Sequence, residues 1–259
     1  MRRMNSPFTL VLLIALVIAL AVVSSLLKGP AGEAEEPNVA EEISPSVVFT
    51  LGPLEVTSTV ISTWAMMLLL GAGAYVAGHN LKLRPGPVQN LLEWIVEGIE
   101  NLIRQMVGVK DTMTFLPFVG TLAFFIGSAN LIGLIPGLRS PTPDINTPLA
   151  LALSVFFSVP YFGVRTCGVW RYLKHYVEPI FIMLPIEIAS EIARTFSLTF
   201  RLFGNILGEE IIISILFIVM PLFVPVPMML FSIFTGLLQA YVFALLTCVY
   251  IGGAVKAHK

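Results

Sequence analysis

A chain of 259 residues in which 56% are hydrophobic and only 12% charged is not a water-soluble globule, because soluble domains carry about 25% charged residues. Its mean hydropathy of +0.89 leaves too little polar surface to face water, so lipid is the solvent for most of the chain. The formal net charge of -1 supplies no long-range field for nucleic acid or another polyanion.

The first apolar run, Phe8 to Leu27, follows Arg2 and Arg3 and has the roughly 20 residues that a membrane-spanning helix needs. Residues 1–27 read as either a signal peptide or an extra N-terminal transmembrane helix. Residues 28–50 read as an acidic periplasmic loop with Glu33, Glu35, Glu36, Glu41 and Glu42, and residues 51–259 as one membrane domain. A second span runs from about Thr57 to Ala77 and ends in His79, Lys82 and Arg84. From Pro87 to Val107, Leu91, Leu92, Ile95, Ile99, Leu102 and Ile103 recur at helical spacing, with Glu93, Glu97, Glu100 and Arg104 between them. That segment is too charged to span and reads as an amphipathic helix, lying at the interface or packed on other helices.

Two further apolar runs, about Phe115 to Ile135 and Pro148 to Val164, read as a helical hairpin around the loop 136–147. After a basic segment with Arg165, Arg171 and Lys174, two long helices close the chain, about Val177 to Met220 and Val226 to Val255. They are separated by a turn containing Pro221, Pro225 and Pro227. The first of them is too long for an upright crossing, so it tilts, lies partly along the bilayer, or extends outside it. The fold expected is all-α and polytopic, with five or six membrane helices including two long, strongly tilted C-terminal ones, plus one amphipathic helix. Arg2, Arg3, residues 79–84, residues 165–174, Lys256 and Lys259 all fall on one side of this arrangement. By the positive-inside rule that side, with the C-terminus, is cytoplasmic.

Arg201 sits far from either end of the penultimate helix, where an arginine costs about 2.5–3.5 kcal/mol on insertion scales. Snorkelling to the interface is the plain structural reading of a membrane arginine; a mid-helix position favours a bundle interior or a water path. At about 100° per residue, Glu187, Ser190, Arg194 and Asn205 fall within about 40° of Arg201 and form one polar stripe. Glu210 lies about 180° away and roughly 13 Å along the axis. A guanidinium stays protonated and so does not relay an ion. It attracts a partner's carboxylate, stabilises the charged form, and repels a cation slipping past. A fixed positive charge between two wet paths would therefore force ions to travel by way of a moving carboxylate.

The stretch Ser197-Leu-Thr-Phe-Arg-Leu-Phe-Gly-Asn-Ile-Leu-Gly-Glu-Glu210, followed by the proline turn and by Leu238-Gln239-Ala-Tyr-Val-Phe, resembles the C-terminal signature of subunit a of bacterial F-type ATP synthases. Asn130-Leu-Ile-Gly-Leu-Ile-Pro136 and Asp144-Ile-Asn-Thr147 resemble the same family's hairpin, so the likeness spans roughly residues 50–255. It implies an ion-translocating (proton-translocating) stator of the inner membrane, non-catalytic by itself and free of cofactors and metals. The implied partners are a ring of c subunits, the peripheral-stalk b subunits, the soluble catalytic sector and lipid. Neither nucleotide nor nucleic acid is expected on this chain.

By position, the resemblance makes Arg201 the stator charge facing the ring carboxylates, with Asn205 one turn away and Gln239 packed near it. Glu210 would line the half-channel open to the periplasm, and Glu187 and Ser190 the one open to the cytoplasm. Asn130 and Asp144 would stand at the periplasmic entrance. Each has a plainer reading: Ser190 as a packing serine, Gln239 as an amide joining helices, Asp144 as a helix cap, Glu191 as an ion-pair partner within the bundle. The sequence departs from the family pattern at Ser232, where some members carry a histidine that partners the carboxylate at the Glu210 position. A free-standing ion-coupled transporter using Glu187, Arg201 and Glu210 is the alternative, but transporters usually show an internal repeat, and no second copy of the Arg201 segment is found. An intramembrane enzyme is disfavoured, since neither HExxH nor GxSxG occurs.

Overall fold

The computed structural model describes residues 47–51, 54–79, 81–108, 112–133, 144–170, 183–219 and 225–256. The N-terminal span 1–27, the acidic loop to residue 46, most of the loops 136–147 and 221–227, and residues 171–174 of the basic segment therefore lie outside the described residues.

The architecture is helical, as expected for a polytopic membrane protein, with one small addition. Strands β1 (Val47–Leu51) and β2 (Leu54–Thr57) pair antiparallel, with Leu51 opposite Leu54 and Val47 opposite Thr57. Strand β2 runs directly into α1 (Ser58–His79), followed by α2 (Pro87–Val107), α3 (Leu116–Ile132), α4 (Asn146–Cys167), α5 (Met183–Val219) and α6 (Pro225–Lys256). Helices α1, α4 and α6 are long and apolar enough to cross a membrane, and α3 is a shorter apolar helix.

Helix α2 has the boundaries its sequence pattern predicts. Proline fits the first helical turn, where its missing N–H has no acceptor to lose, and Gly108 closes the helix at φ 70°, a conformation that favours glycine. The Gln89 amide clamps the preceding loop, accepting from Lys82 N at 3.2 Å and donating to Lys82 O at 3.1 Å. Only the C-terminal half of the apolar stripe is covered: Ile99, Leu102, Ile103 and Val107 are buried, whereas Val88, Leu91 and Trp94 are exposed.

Helix α6 organises the body. It packs on α2, α3, α4 and α5, and its buried residues Ala240, Phe243, Ala244, Thr247, Cys248, Ile251 and Val255 recur at helical spacing along one face. Apolar tails solvate leucine as well as a protein core does, so close backbone approach matters more here than in water. Glycines provide it: a Cβ on Gly252 would lie 2.8 Å from Met106 O in α2, and one on Gly236 would lie 2.9 Å from Asn130 Cβ in α3. The expected hairpin partners α3 and α4 meet through Phe115, Phe118 and Phe162, with ring centroids 5.0 and 5.8 Å apart, and both also pack on α6.

Helix α5 has 37 residues, about 55 Å at 1.5 Å per residue, against a hydrocarbon layer of about 30 Å. It cannot stand upright within that layer. Outward-facing apolar residues on α5 and α6, including Ile192, Phe196, Phe200, Phe231, Phe234 and Tyr241, are what a lipid or protein neighbour in the membrane would cover.

Candidate functional site

Arg201 stands at the edge between two faces of α5. Leu198, Thr199 and Leu202 are buried against the body, while Phe196 and Phe200 point outward. Arg201 is half-buried. Among the described residues the ion pairs are Arg104–Glu100 at 2.7 Å and Arg194–Glu191 at 3.2 Å, and neither includes Arg201. Glu187, Ser190 and Arg194 share its intermediate burial, as members of one stripe should.

Next to Arg201, the structure joins two of the predicted site residues. Asn205, exposed on α5, donates its Nδ2–H to Oε1 of buried Gln239 on α6 at 3.0 Å. The bond joins two helices, which is the plain reading of Gln239, and its partner Asn205 follows Arg201 by one helical turn.

Asn130, at the C-terminal end of α3, donates Nδ2–H to the Gly236 carbonyl of α6 at 3.1 Å. Its Oδ1 is buried without a partner among the described residues, as are Oγ of Ser232 and Nε2 of Gln239. Buried polar atoms in proteins are normally hydrogen-bonded, and in hydrocarbon an unmet bond costs more still. Ser232, Gly236 and Gln239 recur at helical spacing on α6, so these polar atoms line one stretch of its face. Glu210, half-buried on α5, belongs to the opposite side of that helix from Arg201.

Asp144 is buried at the head of α4. Its Oδ1 accepts from Asn146 N at 3.0 Å and from Asn146 Nδ2 at 2.8 Å. A side-chain oxygen that takes the backbone N–H two residues on is a local turn bond common for aspartate. Its Oδ2 accepts from Thr59 Oγ1 of α1 at 2.7 Å, a contact across 85 residues.

At the other end of the stripe, Glu191 pairs with Arg194, as its sideways position on the helix suggests, and the Arg194 guanidinium lies 5.5 Å from the centre of the Tyr250 ring on α6. Tyr250 and Thr59 carry no signal in the sequence, because each acts across the fold and neither belongs to a local motif. His79 is exposed and stacks on Tyr75 with centroids 5.8 Å apart. His175 and His258 lie outside the described residues. Among the described residues no group of His, Cys, Asp and Glu is placed to hold a metal ion.

The fold and site define a polytopic membrane protein with a half-buried arginine in mid-helix and buried polar side chains in its helical body. Residues 59–252 match the family described as ATP synthase A chain. The chain is 45% identical over 210 residues to ATP synthase subunit a 2 of Pelobacter propionicus, covering 81% of this chain and 92% of that one. It is 46% identical over 213 residues to ATP synthase subunit a 2 of Bradyrhizobium sp. (82% and 95% covered). Against ATP synthase subunit a of Moorella thermoacetica it is 39% identical over 216 residues (83% and 99% covered). The chain belongs to the ATP synthase A chain family. That membership supports a component of the ATP synthase complex that translocates ions as its membrane stator, and nothing favours a free-standing transporter.

Proposed function

We propose that this chain passes ions through two half-channels to and from the carboxylates of a rotating ring, and that Arg201 prevents a short circuit between them. The observation that carries this reading is a half-buried, mid-helix arginine with no carboxylate partner among the described residues. A charge left so in a membrane calls for a partner's carboxylate. The outward apolar face beside it suits a cylindrical neighbour built of helices.

As a ring carboxylate nears Arg201, its ionised form is stabilised and it releases its ion to one path; moved past, it reloads from the other. The membrane potential contributes about 2.3 kcal/mol per charge per 100 mV to biasing that cycle. Asn205 and Gln239 hold the ground around Arg201. Asn130, Asp144, Ser232 and Glu210 line the periplasmic path, and Glu187 and Ser190 the cytoplasmic one. Ser232 stands where some members of the family carry an imidazole, so no imidazole from that position partners Glu210. The chain itself carries out no nucleotide chemistry, which belongs to the soluble sector, and b subunits brace it from the side. Its membrane is the bacterial inner membrane, with the C-terminus cytoplasmic.

The test is ATP-driven ion pumping in vesicles holding the assembled complex, with wild type compared to Arg201→Ala. Abolished pumping with intact ATP hydrolysis supports the stator charge. Pumping at the wild-type rate overturns it and reopens Arg201 as a structural residue.

A further inference from the structure

Helix α1 is held to the body by very little. Its buried side chains are Thr59 and Met66, and Trp64, Met67, Leu68, Leu69 and Tyr75 all face outward. Of the two anchors, Thr59 is the polar one, and its hydroxyl donates to Asp144 Oδ2 at 2.7 Å. The two carboxylate oxygens of Asp144 divide their work. Oδ1 takes the local donors of Asn146, which shape the head of α4, while Oδ2 takes the distant one from α1.

Thr57 completes the pattern, with its Oγ1 lying 2.7 Å from Thr59 Oγ1. A threonine hydroxyl has one proton to give. With the Thr59 proton committed to Asp144, Thr57 must be the donor in the second bond. The chain of donation is thus directed, from the last residue of β2 through the first turn of α1 to a carboxylate 85 residues away. Both Thr59 and Asp144 are buried, at 7% and 8% exposure, so water competes poorly for either bond.

We propose that Thr59 is a positioning residue for Asp144, and that this pair latches the β1–β2–α1 arm to the head of α4 at the mouth of the ion path. The role given to the mouth rests on the proposed function above; the latch itself rests on the bond. Without the Thr59 hydroxyl, Asp144 loses the donor that fixes its outer oxygen, and α1 loses its polar anchor.

The experiment measures ATP-driven ion pumping by the assembled complex for Thr59→Val, Thr59→Ser, Asp144→Asn and the double variant Thr59→Val/Asp144→Asn. A bond to a charged group is worth about a ten-fold effect, so Thr59→Val is expected to slow pumping by about that factor. Thr59→Ser, which keeps the hydroxyl, should restore it, and the double variant should be no slower than Asp144→Asn alone. Thr59→Val pumping like wild type while Asp144→Asn is slow overturns the positioning role and leaves Asp144 on the path. Asp144→Asn pumping like wild type removes Asp144 from the path, and Thr59 with it. Should Thr59→Val be lost from the purified complex, Thr59→Ser and Thr59→Cys carry the test. Rates that follow donor strength, serine near wild type and cysteine slower, support the latch; equal rates overturn it.

Discussion

Asn205 on α5 and Gln239 on α6 are joined by a 3.0 Å hydrogen bond, one turn beyond Arg201 and across the seam between the two long helices. The bond ties the turn of α5 that follows Arg201 to α6.

Removing Asn205 leaves the buried Gln239 amide without its partner, and removing Gln239 cuts the same tie from the α6 side. Gln239→Leu is expected to slow ATP-driven pumping, and so is Asn205→Leu. A double-mutant cycle on the stability of the complex should return a coupling of about 0.5–1.5 kcal/mol, the net value of one hydrogen bond. Additive effects would mean the two residues act separately.

Arg201 predicts a leak as well as a loss of coupling. If the guanidinium blocks ions between the two paths, vesicles carrying Arg201→Ala should lose an imposed ion gradient faster than wild type. Arg201→Lys should hold the gradient better than alanine and yet pump poorly, because an ammonium lacks the planar fork that meets a carboxylate in two places. The rate of gradient decay, followed with an ion-sensitive dye, checks both.

Two adjacent glycines give a controlled test of the α2–α6 seam. A Cβ at Gly252 would meet Met106 O at 2.8 Å and Val107 Cα at 3.1 Å, both backbone atoms that cannot swing aside, whereas Gly253 has nothing within 4 Å. Gly252→Ala should cost about 1–3 kcal/mol through overpacking, seen as a lower melting temperature of the purified complex, and Gly253→Ala should leave it nearly unchanged.

Arg194 links α5 to α6 through the Tyr250 ring as well as pairing with Glu191. Tyr250→Leu removes the ring and should destabilise the pair of helices by about 0.5–2 kcal/mol. Tyr250→Phe keeps the ring and should cost less. Thermal unfolding of the two variants separates a cation–ring contact from a contribution of the hydroxyl.

Much of this was legible along the chain. Helix α2 begins at Pro87 and ends at Val107, as its apolar spacing and its flanking Pro87 and Gly108 require. The α1, α4 and α6 spans follow from runs of about 20 apolar residues. Arg201 announces itself because a charge deep in an apolar helix is costly and needs a reason, and the same periodicity places Glu187, Ser190, Arg194 and Asn205 beside it. The directness of β2 into α1 was not legible: two strands of five and four residues leave no pattern that an apolar run does not also leave.

Local chemistry and helical period are properties of a sequence, and by themselves they determined the membrane solvent, the spans, the polar stripe and the resemblance at Arg201. Pairing between distant side chains is not such a property. That Asp144 meets Thr59, that Gln239 meets Asn205, that Arg194 lies over Tyr250, and that Gly252 admits the backbone of α2 were decided only when the helices packed together. In hydrocarbon, where apolar surface gains little by leaving lipid, close backbone approach and buried hydrogen bonds select the packing, and these act between residues whose separation along the chain says nothing of their distance in space.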